Sequence, residues 1–130
     1  MKHIKTGKKR SNFDILATTG NLQAAMMTLK PGGTSDDEPS NEHARSEQWL
    51  FLIAGSGTAR IGKRKGQLRS VKLEANSLLV IEKGELHQIV NTGKADMRTI
   101  NFYAPPAYDE EGEPMGTLKR TVRAITGGGK

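Results

Sequence analysis

Apolar residues in this chain fall in short runs, each stopped by a glycine or a cluster of turn formers. The clearest is Gln48–Ala54 (QWLFLIA), where aromatic and branched side chains fill a brief stretch that ends at Gly55-Ser-Gly57. Strand alternation there puts Gln48, Leu50 and Leu52 on one face and Trp49, Phe51 and Ile53 on the other. Similar runs occupy Ser11–Thr18, Thr58–Ile61, Gln67–Leu73, Ser77–Ile81, Leu86–Val90 and Met97–Tyr103, with turns at Gly20-Asn21, Gly62–Gly66, Lys83-Gly84 and Asn91–Lys94. Leu22–Lys30 fits a short helix by propensity and a strand by the turns that bound it. Strands recurring about every ten residues, with no long helical period, predict an all-β sandwich or barrel.

If Gln48 faces the interior, Trp49, Phe51 and Ile53 form an outward apolar row that needs a second sheet layer or another subunit to cover it. A homodimer is the expectation. A length of 130 residues suits one domain with one core. No apolar run approaches the roughly 18 residues that span a bilayer, and the charged start MKHIKTGKKR has no apolar segment behind it. A soluble, cytoplasmic protein without a membrane partner is expected. The chain has no cysteine, so a metal here would have to use imidazole, carboxylate, amide or water.

The net charge of +6 sits mainly at the ends. Lys2, Lys5, Lys8, Lys9 and Arg10 precede the first strand, and Lys119, Arg120, Arg123 and Lys130 follow the last; these nine charges leave the middle net negative by three. The division expected is a basic tail at 1–10, one barrel at 11–116 and a basic segment at 117–130, with Thr117–Ile125 forming an edge strand or a short helix. Such tails could touch nucleic acid, but they lack interleaved aromatics and any nucleic-acid motif, and solvated tails are the expectation.

Candidate chemistry gathers in two segments that hold two of the three histidines. Gly32–Gly57 delivers His43 from a turn-rich loop into the strongest strand, and Glu82–Asn91 carries His87. Two imidazoles far apart in sequence, each opening a short strand after a glycine-containing turn, are what a metal site at a barrel mouth requires. These segments resemble the two motifs of the cupin superfamily. Gly84, His87 and Asn91 match the second motif at its spacing, with Glu82 where proline is usual. In the first motif Asn41 occupies the slot of the first histidine, His43 that of the second, and Gln48, six residues before Gly55, that of the glutamate.

The resemblance spans Leu22–Pro106, decides for a strand at Leu22–Lys30, and implies a double-stranded β-helix, the jelly-roll barrel. It also implies a divalent transition metal (Fe, Mn, Ni, Cu or Zn) at Asn41, His43, Gln48 and His87. Glu47 is an alternative ligand if a local bulge turns it inward, whereas Glu42 would alternate to the opposite face of an extended segment. An amide offers a dipole where a carboxylate brings charge, so this set should bind less tightly than the family's three histidines and glutamate. The function implied is a metal-dependent dioxygenase or isomerase acting on a small organic ligand; the alternative is a metal-free ligand-binding or sensor protein.

No catalytic residue is assigned, since no nucleophile triad, phosphate loop or catalytic carboxylate pair stands out. Met27, Leu50, Leu52, Ile89 and Tyr103 either shape a pocket or pack the core. Asp36, Asp37, Glu38 and Glu42 read as a solvated acidic loop, and Lys63-Arg64-Lys65 as an exposed hairpin turn. Tyr108–Pro114 is a surface linker, or else a cap that brings Tyr108 to the barrel mouth.

Overall fold

The computed structural model describes residues 1–115, and these form strands joined by turns: β1 Phe13–Thr18, β2 Gln23–Leu29, β3 Glu47–Ala54, β4 Ser56–Gly62, β5 Arg69–Glu74, β6 Leu78–Ile81, β7 Leu86–Val90 and β8 Met97–Ala104. They pair antiparallel in two sheets, ordered β1-β2-β8-β3-β6 and β5-β4-β7. The all-β jelly roll expected from the spacing of the runs is the fold observed. Leu22–Lys30 is the strand β2, because its side chains must reach an interior on one face along its whole length. β5 begins two residues later than expected, since Lys65–Gln67 winds into a 3-10 turn. That basic hairpin is exposed, with Lys65 paired to Glu38 at 3.0 Å.

The alternation in β3 is as the sequence demands. Gln48, Leu50 and Leu52 are buried, while Trp49 is 43% exposed. Register extends this across the large sheet. One inward row reads Gln23, Tyr103, Gln48, Ile81 and the next reads Ala25, Asn101, Leu50, Leu79. Deeper in, Met27, Leu29, Leu50, Leu52, Ala59, Leu73, Ile89 and Met97 make one apolar cluster between the sheets. Each fully buried leucine contributes about 2 kcal/mol from the apolar area it removes from water. The β3–β4 junction is held by Gly55 at φ +89, where a Cβ would lie 2.6 Å from the Asp96 carbonyl oxygen. The barrel thus has an apolar floor and leaves its polar residues for the mouth.

The outward rows are apolar as well: Ala24, Phe102, Trp49, Val80, then Met26, Ile100, Phe51, Leu78. At the β2 end Met26 is buried, whereas Leu78 at the β6 end is 54% exposed. The guanidinium of Arg98 donates to the carbonyls of Thr6 and Lys9, both at 3.1 Å. Residues 1–10, expected to be a free tail, are therefore exposed but fastened to the barrel at two points. The element expected at Thr117–Ile125 and the basic segment around it lie outside the described residues.

Candidate functional site

His87 is the second residue of β7 and lies opposite Ile61 of β4. The turn that feeds it is closed by Glu85 N–H donating to the Glu82 carbonyl at 3.1 Å, and it passes through Gly84 at φ +86, which a side chain would disfavour. Glu82 serves where proline is usual because its own N–H donates to the Glu85 carboxylate at 2.8 Å. At the far end of β7, buried Asn91 donates to the carbonyls of Leu29 and Ala95 and accepts from Gly93 N–H, all at 2.9 Å. Asn91 is a clasp that fixes the strand end, not a group presented to the cavity.

His43 arrives differently. The segment 32–40 runs along the free edge of β7, with Asn91 N–H donating to Gly33, Ser35 N–H to Ile89, and Ser40 and His87 exchanging backbone bonds at 3.1 and 2.9 Å. After Ser40 the chain coils through turns up to Glu47, so His43 sits on a loop and does not open a strand as expected. The turn is pinned by Ser46, whose N–H donates to the His43 carbonyl at 2.8 Å and whose hydroxyl donates to Pro105 at 2.6 Å. His43 and His87 meet with their Nε2 atoms 3.0 Å apart.

They line a cavity of about 220 Å³ together with Gln48, Asp36, Glu42, Tyr103 and Tyr108. Of the residues weighed as pocket or core, Met27, Ile89 and Tyr103 line it; Leu50 and Leu52 belong to the core. Of the expected ligands, Gln48 faces the cavity, its Nε2 donating to Asn101 at 3.3 Å and its buried Oε1 without a partner. Asn41 does not line the cavity. The Glu47 carboxylate accepts from the Trp49 indole at 2.6 Å on the outer face, so the alternative ligand points away. Glu42, expected on the opposite face, lines the cavity and accepts from the Tyr108 hydroxyl at 2.8 Å. The exchange of Asn41 for Glu42 follows from the turn, because the alternation rule holds only for extended backbone.

Asp36 also leaves the solvated loop it was read into. Its backbone carbonyl accepts from Gln88 at 2.8 Å, which draws the acidic segment over the barrel. Partial burial, then the nearby Glu42 charge, push its carboxyl up to about 6. The residues after Ala104 form the cap that was one of two expectations. Gln23 holds them: its Oε1 accepts from the Ala107 and Tyr108 N–H groups at 3.1 and 2.9 Å, and its Nε2 donates to the Tyr108 carbonyl at 2.8 Å. A buried glutamine opening the largely apolar strand β2 was the available signal for this clamp. Phe13, Tyr103 and Tyr108 pack edge to face around the mouth, with centroids 4.9, 5.0 and 6.5 Å apart.

Burial lowers the proton affinity of both imidazoles. Desolvation, reinforced by the neighbouring His43 ring, takes His87 down to about 4, and desolvation likewise lowers His43. Both rings are neutral at neutral pH. Their Nδ1 atoms face backbone carbonyls, Ser46 at 3.4 Å and Glu85 at 3.1 Å. A carbonyl only accepts, so each Nδ1 must carry the proton, and neither Nε2 then has one to place between them.

Two antiparallel sheets closed over a polar mouth define a double-stranded β-helix. A sequence model described as the cupin domain matches residues 25–103, more than half of the chain, and the chain belongs to the cupin family. The uncharacterized protein YrkC of Bacillus subtilis (strain 168) is 28% identical over 116 residues, covering 88% of this chain; the chain spans 58% of the length of that relative. The crystal structure of BH2720 from Bacillus halodurans is similar with a TM-score of 0.73 at 26% identity, over 80% of this chain and 77% of that one. The structure of CapF with the inhibitor 3-isopropenyl-tropolone gives 0.65 at 21% identity, over 76% of this chain and 29% of CapF, a likeness of fold. Among the described residues no helix is long and apolar enough to cross a membrane.

Proposed function

We propose that this chain is a small metal-binding cupin that takes a small polar organic molecule into the barrel, with His43 and His87 holding a divalent transition ion through Nε2. The observation that carries this is the proton count. Three contacts, Ser46 to His43, His43 to His87 and His87 to Glu85, would need three protons as hydrogen bonds, and two neutral imidazoles carry two. A cation other than a proton resolves the deficit. Two Nε2 atoms 3.0 Å apart are close enough to be held by one ion.

Gln48 Oε1, buried and unpaired, is a third acceptor open to the ion or to a molecule bound beside it. Among the described residues no three His, Cys, Asp or Glu side chains converge, so the donor set is short and leaves positions open. When bound, the ion supplies Lewis-acid polarisation of an oxygen, or redox chemistry if it is iron, which suits an isomerase or a dioxygenase. The chain's own residues do the rest. Phe13, Tyr103 and Tyr108 exclude water, while the Tyr108 hydroxyl holds its proton on Glu42 beside the His43 ring.

The test is elemental analysis of untagged, dialysed protein against His87→Ala. About one transition ion per chain, lost in the variant, is the expected result; no ion in either sample after reconstitution sinks the reading. A second reading, a metal-free binding or sensor cupin, is favoured by one observation: the buried Oε1 of Gln48 faces the cavity without a partner and is free for a ligand's donor.

We also infer that the exposed half of the outer sheet, Trp49, Ile53, Leu78 and Val80, is covered by a second copy of the chain. Trp49 and Val80 continue the row of Phe102 to the β6 edge and Leu78 continues that of Ile100, with Ile53 exposed further along β3 and Glu47 the one charge at the end of that face. Wild type should elute at twice the mass of a Trp49→Glu, Phe51→Glu variant; equal elution at monomer mass rejects the dimer.

A further inference from the structure

Charge on the cavity wall has one sign. Asp36 and Glu42 line it, and among the described residues no lysine or arginine does. Neither carboxylate is in an ion pair among the described residues; Asp36 has the Ser35 hydroxyl at 3.2 Å and Glu42 the Tyr108 hydroxyl at 2.8 Å. Asp36 is partly buried and Glu42 stands exposed at the rim, and with only neutral donors they leave a deficit of positive charge that the described residues do not meet. Gln48, 4% exposed, adds a carbonyl oxygen with no donor. The rings of Phe13, Tyr103 and Tyr108 complete the wall, and the faces of such rings attract cations.

Every charged or unpaired group on this wall is therefore an acceptor or an electron-rich ring. We infer that the molecule this cavity takes is a small organic cation, an ammonium-bearing compound whose charge sits by Asp36 and Glu42 against the aromatic rings, and that carboxylates and phosphates are rejected. The inference rests on reading the cavity as a ligand site. It does not rest on the metal, because Asp36 and Glu42 stand outside the donor set. At about 220 Å³ the cavity lies below the roughly 300–1,000 Å³ of pockets for drug-sized ligands, so the cation is a compact one.

The experiment compares three molecules of one shape on the full chain: n-butylammonium chloride, 1-butanol and sodium butyrate, at matched ionic strength, by thermal shift and calorimetry. Butylammonium should bind roughly tenfold or more tightly than butyrate, the scale of one charge-assisted hydrogen bond, with butanol between them. In the isosteric double variant Asp36→Asn, Glu42→Gln that preference should vanish while metal content stays at the wild-type value. Butyrate binding as well as butylammonium, no butylammonium binding at all, or a preference that survives in the double variant each overturns the inference. A wild type that prefers butylammonium yet never takes up a metal would instead sink the metal reading and leave this one standing.

Discussion

The two halves of the site are built on different principles. His87 rides on a strand whose register is set by the ladder to β4, whose entry is set by the Gly84 turn and whose exit is set by the Asn91 clasp. His43 sits in a run of turns with no ladder of its own, placed because segment 32–40 is sewn to the edge of β7 and Ser46 pins the turn to Pro105. One half is specified locally. The other is specified by what it leans on, and its residues can trade places without breaking a periodic pattern. The largest expected effect falls on what the halves share: His43→Ala should remove bound metal as fully as His87→Ala, since each supplies one of two imidazoles. Metal retained in His43→Ala would make the loop half dispensable.

Two asparagines give the next test, because one stands in each motif, Asn91 at its usual position and Asn41 in the slot of a histidine. Asn91→Ala leaves the Leu29 and Ala95 carbonyls and the Gly93 N–H without partners in a buried place and should cost about 3 kcal/mol in urea denaturation. Asn41→Ala removes a buried Oδ1 that has no partner and should cost under about 0.5 kcal/mol, with metal content unchanged. Comparable losses at both positions would mean that the loop half is as locally specified as the strand half.

This division also explains what could be read without coordinates. Most strands and the inward row of Gln48, Leu50 and Leu52 were legible from period-two alternation and glycine turns, while the strand at Leu22–Lys30 and the motif slots of His43 and His87 were legible through the cupin resemblance. Between Gly33 and Ser46 no period operates. Alternation therefore sent Glu42 outward, the motif slot sent Asn41 inward, and charge density sent Asp36 to solvent; the turns reverse all three. Tyr108 was one of two open alternatives because its position depends on the Gln23 clamp, a contact across 85 residues.

The imidazole pair contributes a pH dependence of stability with a definite sign, opposed in the same window by Asp36, whose carboxyl is pushed up to about 6. The folded-state pKa of His87, near 4, lies below its ordinary 6.5, so between these values the unfolded chain binds more protons. Stability present above pH 6.5 is lost as pH falls towards 4, by up to about 3 kcal/mol if desolvation is fully effective. As pH falls across this window, urea midpoints in the apo wild type should drop relative to those of His87→Ala, which retains the Asp36 contribution. A window equally steep in the variant would place the dependence elsewhere than on the strand half.

Gln48→Glu separates metal from no metal through opposite signs in one variant. Gln48 heads the inward row of β3, and its Oε1 is buried without a partner, so a carboxylate there meets no protein cation. In the apo protein that charge is uncompensated, and the melting temperature should drop. With a divalent ion on His43 and His87 the same charge becomes a ligand, and the affinity for the ion should rise roughly tenfold, since it adds Coulombic attraction to what was a dipole. Apo destabilisation together with tighter metal binding places Gln48 in the donor set. Destabilisation with weaker binding, or with none, means that Gln48 Oε1 faces the organic ligand alone; the strand-borne residue would then belong to the ligand, and only the two rings to the ion.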